Sequence, residues 1–217
     1  MEAGEKKQAL PPAARGVFLA AGIVFMALAG ALFSCSEIGM DPLSVLYGGI
    51  ASVLHIRLGT SALLTGAAVL ALLIFRDRKR IGAGTVAVAL AIGPLLNLFL
   101  DLLPLRPAGW PAQAAVSLMG AAAYSVGMGL YLYADLGCGP IDALMMHFLE
   151  RTSIRLRAFK VLFDIACVAA GWAMGGSVGA GTLIAAFLTG PMMCAVMKGL
   201  DSFRGMFRRK RKEAVFK

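Results

Sequence analysis

The chain of 217 residues is 59% hydrophobic and only 15% charged, with a formal net charge of +9, whereas ordinary soluble domains are about 25% charged. A soluble fold of this length has too little polar surface to cover so much apolar side chain, so the composition excludes a soluble globular domain and calls for a bilayer as solvent. The positive balance does not make a nucleic-acid surface either. The cations flank apolar segments (Lys6, Lys7 and Arg15; Arg76 to Arg80; Arg208 to Lys212), as membrane anchors on the cytoplasmic side do.

Taken in chain order, Gly16 to Ser36 carries no charge and is long enough to cross. A turn at Gly39 to Pro42 follows, then a short apolar segment, Leu43 to Leu54, that is too short to span and suits a re-entrant or interfacial helix. Leu58 to Phe75 and Ile81 to Leu100 are two further charge-free segments, separated by the basic loop Arg76 to Arg80. Pro104 to Pro111, rich in proline, reads as a linker. Beyond it, Pro107 to Ala134 holds one helix, Ile141 to Leu149 is a second short segment, and Ile165 to Met197 is interrupted by glycines between Gly175 and Gly181. That last stretch therefore reads as the end of one helix and most of another. The expected total is about six spans.

The chain repeats itself. Ile38-Gly39-Met40-Asp41-Pro42-Leu43-Ser44 parallels Leu136-Gly137-Cys138-Gly139-Pro140-Ile141-Asp142 at an offset of 98 positions. The same offset aligns Gly22 with Gly120 and Ile56-Arg57-Leu58 with Ile154-Arg155-Leu156. With one residue dropped, Gly82-Ala83-Gly84-Thr85 matches Gly179-Ala180-Gly181-Thr182, and Gly93-Pro94 matches Gly190-Pro191. Several pairs in one order imply a duplication. The expected organisation is a cytoplasmic N-terminal tail over 1–14, a membrane repeat over 15–101, a linker over 102–112, a second membrane repeat over 113–201 and a basic cytoplasmic tail over 202–217.

If the short segments do not cross, each repeat crosses three times and the second is inverted relative to the first. Charge supports inversion. The loop after the second long helix of the first half carries Arg76, Arg78, Lys79 and Arg80, and its counterpart, Gly175 to Val178, carries none. The loop after the first short segment has only Arg57, whereas its counterpart has Arg151, Arg155 and Arg157. With both termini cytoplasmic, 19 of the 21 lysines and arginines lie inside, leaving Arg57 and Arg106 outside. A rival scheme of eight crossings in parallel repeats leaves 17 inside. The expected fold is thus all-α, with two inverted repeats of three transmembrane helices and one short re-entrant or interfacial helix each.

Broken helices at corresponding places in inverted halves point to a transport site near the midplane. Ser44 and Asp142 stand two residues after the matching prolines, where Ser or Asp serves as a helix cap or, alternatively, helps form a site. Gly137 and Gly139 let backbone approach a ligand. Asp164, aligned with Gly66, is a carboxylate inside an apolar helix, with Lys160 one turn earlier as an ion-pair partner. His147 is either a proton shuttle or an ordinary interfacial histidine. Asn97 can hydrogen-bond across helices. There is no HExxH motif, no P-loop and no set of clustered metal ligands. The four cysteines form no CxxC motif. The expectation is therefore a protein that binds rather than makes bonds, with no catalytic residue, metal or cofactor.

The turn Leu136-Gly137-Cys138-Gly139-Pro140-Ile141-Asp142-Ala143-Leu144, with Gly181-Thr182 and Gly190-Pro191 after it, resembles the GxGPwD region of the bacterial YczE/YyaS/YitT membrane proteins. The likeness covers nearly the whole chain and is closest to the YczE-like branch, with Ile141 in place of an aromatic residue. It implies a bacterial inner-membrane location and assigns no activity. The expected function is a small-solute or ion transporter or channel, with its site between the two Gly-x-x-Pro turns. A homodimer or a partner membrane subunit would complete the assembly in the lipid bilayer. The alternative is a non-transporting accessory or scaffold, or a substrate-binding subunit of a larger transporter.

Overall fold

Proline and glycine set where the helices start and stop. The computed structural model describes residues 11–152 and 154–215. Among these it is entirely helical: α1 (Pro12–Ser36), α2 (Pro42–Leu54), α3 (Leu58–Arg76), a single 3-10 turn (Arg78–Arg80), α4 (Ala83–Leu102), α5 (Trp110–Ala134), α6 (Pro140–Leu149), α7 (Leu156–Ala173) and α8 (Ala180–Val215). Pro12, Pro42, Pro111 and Pro140 lie in first turns, where the missing N–H costs nothing. Glu37 and Asp135 close α1 and α5 in the left-handed region, and Gly39 and Gly137 follow at φ +111° and +109°.

The N-terminal tail expected over 1–14 falls largely outside the described residues, and α1 already begins at Pro12. Trp110, expected in the linker, opens α5. The segment expected as a basic tail continues α8 to Val215. Five helices are long and apolar enough to cross a membrane: α1, α3, α4, α5 and the first part of α8, Ala180–Ser202. The sixth expected span, on α7, is not among them. α7 has 18 residues but carries Arg157, Lys160 and Asp164, which take it below that threshold.

α1 and α5 form the centre and pack antiparallel. Gly22 lies against the backbone of Gly127 and Tyr131, so any Cβ there would overlap them; Gly120 lies on the ring of Phe33. The two contacts are related by the repeat, since Gly120 follows Gly22, and Tyr131 follows Phe33, by the same 98 positions. α4 flanks α1 and α8 flanks α5, while α2 lies on α7 and α6 lies on α3. Lipid-facing surfaces remain apolar: Phe75, Trp172 and Phe187 are all largely exposed.

The halves differ at one seam. α3 and α4 meet closely because Gly59 and Gly93 bring each helix's carbonyl to the other's backbone, and Gly66 rests on Ala89. Asn97 locks this seam, accepting the Gly59 N–H at 2.9 Å and donating to Thr60 Oγ1 at 3.2 Å. In the second half the positions aligned with Gly59 and Gly66 hold Arg157 and Asp164, and α7 and α8 make no comparable seam. Gly190, aligned with Gly93, would have nothing within 4 Å of an added Cβ. Gly93→Ala should therefore lower the unfolding midpoint in detergent, by about 1–3 kcal/mol from overpacking. The aligned Gly190→Ala should change stability by less than about 0.5 kcal/mol. Thermal unfolding of the two purified variants compares them directly.

Candidate functional site at the two proline turns

The turn before α2 is built around Asp41. Its backbone is extended, and its carboxylate accepts the Ser44 N–H at 3.2 Å, which caps the helix. Asp41 and Ser44 are both buried, with 8% and 7% exposure. The cap of α2 is thus Asp41, and Ser44 supplies the capped N–H. In the second copy Gly139 holds the cap position without a side chain, and the acid stands at Asp142, in the first helical turn. Asp142 Oδ2 lies over Gly139. Asp142 is half-buried, and among the described residues nothing hydrogen-bonds to its carboxylate.

These acids share a neighbourhood. On α7, Lys160 Nζ bonds Asp164 Oδ1 at 2.7 Å, and both members lie within electrostatic reach of Asp41 and Asp142. Tyr47 of α2 and Tyr124 of α5, each partly buried, feel the charge of both Asp41 and Asp142. Three carboxylates thus gather around one ammonium, at the positive N-termini of two short helices.

The remaining polar backbone here is satisfied by protein. Gly84 N–H donates to the Leu136 carbonyl at 2.8 Å, and Gly181 N–H donates to the Ile38 carbonyl at the same distance. Thr85 Oγ1 accepts the Gly82 N–H at 3.0 Å and donates to the Cys138 carbonyl at 2.6 Å, while Thr182 Oγ1 accepts the Gly179 N–H at 3.3 Å. Tyr131 donates to the Gly137 carbonyl at 2.9 Å. Gly39 and Gly137 have no Cβ because their neighbours are the backbones of Gly179 and Gly82. Their close approach is to protein.

Of the residues singled out from sequence, Ser44, Gly137, Gly139, Asp142 and Asp164 belong to the turns or their surroundings. His147 does not. It is buried at the far end of α6, with Nδ1 3.1 Å from Asp77 Oδ2 on the α3–α4 loop. Asp41, Tyr47 and Tyr124 were not singled out. Asp41 stands directly before a proline in the repeated turn, and that position was a readable cap signal. Tyr124 is a polar tip in a charge-free helix, which by itself points nowhere.

A family model described as "Family of unknown function (DUF6198)" matches residues 13–198. The chain belongs to this family. It is 26% identical over 177 residues to the uncharacterized membrane protein YczE of Bacillus subtilis, covering 81% of this chain and 82% of that protein. It is also 30% identical over 163 residues to an uncharacterized protein of Haemophilus influenzae, covering 75% and 73% of the two chains. The resemblance to the YczE-like proteins therefore holds across most of the chain, and with five apolar helices of spanning length this family member is a multi-pass integral membrane protein. No solved structure matches it.

The two acids should respond differently to removal. Asp41→Ala loses a cap and should cost about 1 kcal/mol of stability. Asp142→Asn removes a half-buried charge that has no protein hydrogen-bond partner, so it should leave the unfolding midpoint unchanged or raise it. Denaturation of the two variants in the same detergent checks the contrast.

Proposed function

We propose that this membrane protein transports or conducts a small cation or a protonated solute through a site formed where α2 and α6 begin. The observation that carries the reading is the surplus of carboxylate: Asp41, Asp142 and Asp164 against Lys160, beside Tyr47 and Tyr124. A half-buried acid that spends no lone pair on a protein donor is available to a proton or a cation. Asp142 is the binding and coupling residue in this reading, Asp41 holds the opposing helix end, and the Lys160–Asp164 pair is a switchable neighbour whose ammonium a cation would displace. Tyrosine rings suit an organic cation as well as an inorganic one.

The reading includes inverted repeats of three crossings, with α7 as the sixth span. Its 18 residues rise about 27 Å, and Lys160 and Asp164 neutralise one another within it. Contacts between chain ends support this scheme. Arg15 reaches Asp135 at 3.8 Å, Asp77 meets His147, and Arg57 bonds Asp101 at 2.6 Å. Six crossings put the members of each pair on one side of the bilayer. Eight crossings would separate Arg15 from Asp135 and Asp77 from His147. The antiparallel packing of α1 on its repeat counterpart α5 also favours inversion. In this scheme the protein lies in the inner membrane with both termini in the cytoplasm.

Two tests follow. In proteoliposomes carrying an internal pH dye or cation indicator, imposed proton or monovalent-cation gradients should drive a flux that Asp142→Asn reduces at least about tenfold, an effect of roughly 1.4 kcal/mol, without loss of membrane abundance. Equal flux in wild type and variant would defeat the proposal. In a cysteine-free background in intact cells, Ser177→Cys should react with an impermeant thiol reagent, and Lys79→Cys should be protected. Reaction at both positions would overturn the inverted topology.

A further inference from the structure

A second concave region lies away from the carboxylates. Between the end of α3, the α3–α4 loop and the end of α6 there is a cleft of about 470 Å³, lined by Ile74 to Lys79, His147, Glu150 and Arg151. Four cations line it: Arg76, Arg78, Lys79 and Arg151. Arg78 donates from Nε to the Ile74 carbonyl at 2.7 Å. Among the described residues, Arg76, Lys79 and Arg151 have no ion-pair partner. Two acids line the cleft as well: Asp77, which meets His147 Nδ1 at 3.1 Å, and Glu150. The lip is apolar: Phe75 is 84% exposed, and Ile74 and Phe148 are exposed beside it.

Positive charge beyond the end of an apolar helix is ordinary for orientation alone, but orientation needs no cleft. Here like charges are held together around a space large enough for a headgroup, with an aromatic ring at its edge where acyl chains would begin. We propose that this cleft binds the phosphodiester headgroup of an anionic phospholipid, with Arg76, Lys79 and Arg151 around the phosphate and Phe75 against the first carbons of the chains. Guanidinium groups match phosphate oxygens in pairs, and basic pockets at the membrane boundary hold such headgroups by charge and shape together. The symmetry of the chain sharpens the assignment. The corresponding cleft at the other end, of about 320 Å³, is lined by Ser34, Ser52, Gly175, Gly176 and Ser177 among others and holds no charged side chain. The proposal stands independently of any transport.

The test uses the full-length protein in neutral detergent, offered phosphatidylglycerol, phosphatidylcholine or inorganic phosphate. Retained lipid is read by native mass spectrometry and thermal stability in parallel. Wild type should retain phosphatidylglycerol over phosphatidylcholine, and only phosphatidylglycerol should raise the unfolding midpoint. Retention should fall about fivefold for each of Arg76→Gln, Lys79→Gln and Arg151→Gln, and Arg106→Gln, on another loop, should have no effect. Should Arg76→Gln or Arg151→Gln fail to fold, the exposed change Lys79→Gln carries the test. Equal retention of the two lipids, or equal phosphatidylglycerol retention by wild type and Lys79→Gln, would overturn the proposal. So would equal stabilisation by inorganic phosphate, which would make a soluble anion the ligand.

Discussion

Inside a bilayer no water is at hand for a backbone that leaves the helix, so every N–H and C=O at a break must find a partner in the protein. The two proline turns of this chain obey that constraint in the same way. Each follows a helix closed by a left-handed residue, Glu37 or Asp135, and each presents a carbonyl, Ile38 or Leu136, to the N–H of Gly181 or Gly84 in the other half. The partner turn in turn holds its own first N–H with a threonine hydroxyl, Thr182 or Thr85. The glycines follow from this arrangement. Two irregular backbones can exchange hydrogen bonds only at a separation that leaves no room for Cβ, as Gly39 against Gly179 and Gly137 against Gly82 show. The broken helices of one half are thus completed by the other, and neither half is a satisfied unit alone.

Against that shared frame, the halves have diverged in a consistent direction. The first half keeps small residues where helices meet: Gly59 and Gly66 on α3, Gly49 on α2. The second half carries Arg157, Asp164 and His147 at the aligned positions. The consequences are steric as well as chemical. Gly49 lets α2 rest directly on the backbone of Gly171 in α7, whereas His147 stands off from α3 and reaches the loop beyond it through Asp77. With Asp164 on α7 where α3 has Gly66, the close seam of α3 and α4 is not repeated by α7 and α8 among the described residues. Elements that move in a binding cycle come from the less tightly packed end of a structure.

Much of this was legible in the sequence because its signals are local. Helix ends marked by Pro42, Pro140, Gly82 and Gly179 fall within a residue or two of their expected positions, since proline and glycine act on their own backbone whatever the tertiary context. The repeat was legible for the same reason. The cap on α2 was missed because aligning the turns drew attention to Ser44 opposite Asp142, while the acid that caps is Asp41, opposite Gly139. The His147–Asp77 contact joins residues 70 positions apart, and no periodicity announces such a pair. Lysine and arginine are good helix formers, and α8 continues as helix through Arg208 to Lys212.

Asp41 and Asp142 also show why a repeat is a useful instrument for separating stability from function. Both acids stand at the start of a short helix, Asp41 buried and Asp142 half-buried, and both feel Lys160 and Asp164. Asp41 spends its carboxylate on a backbone N–H that would otherwise be unsatisfied, so folding alone explains its presence. Asp142 makes no such bond, and the helix it stands on begins without a side-chain cap although Ser, Asn or Asp at position 139 would have supplied one. The helix dipole gives that acid some support. An arrangement that leaves the cap empty and a half-buried acid without a protein hydrogen bond beside it gains little in stability. In the proposed transport reading its compensation lies in what the acid would hold, and the positive helix ends and the ammonium nearby would keep that hold weak enough to be released.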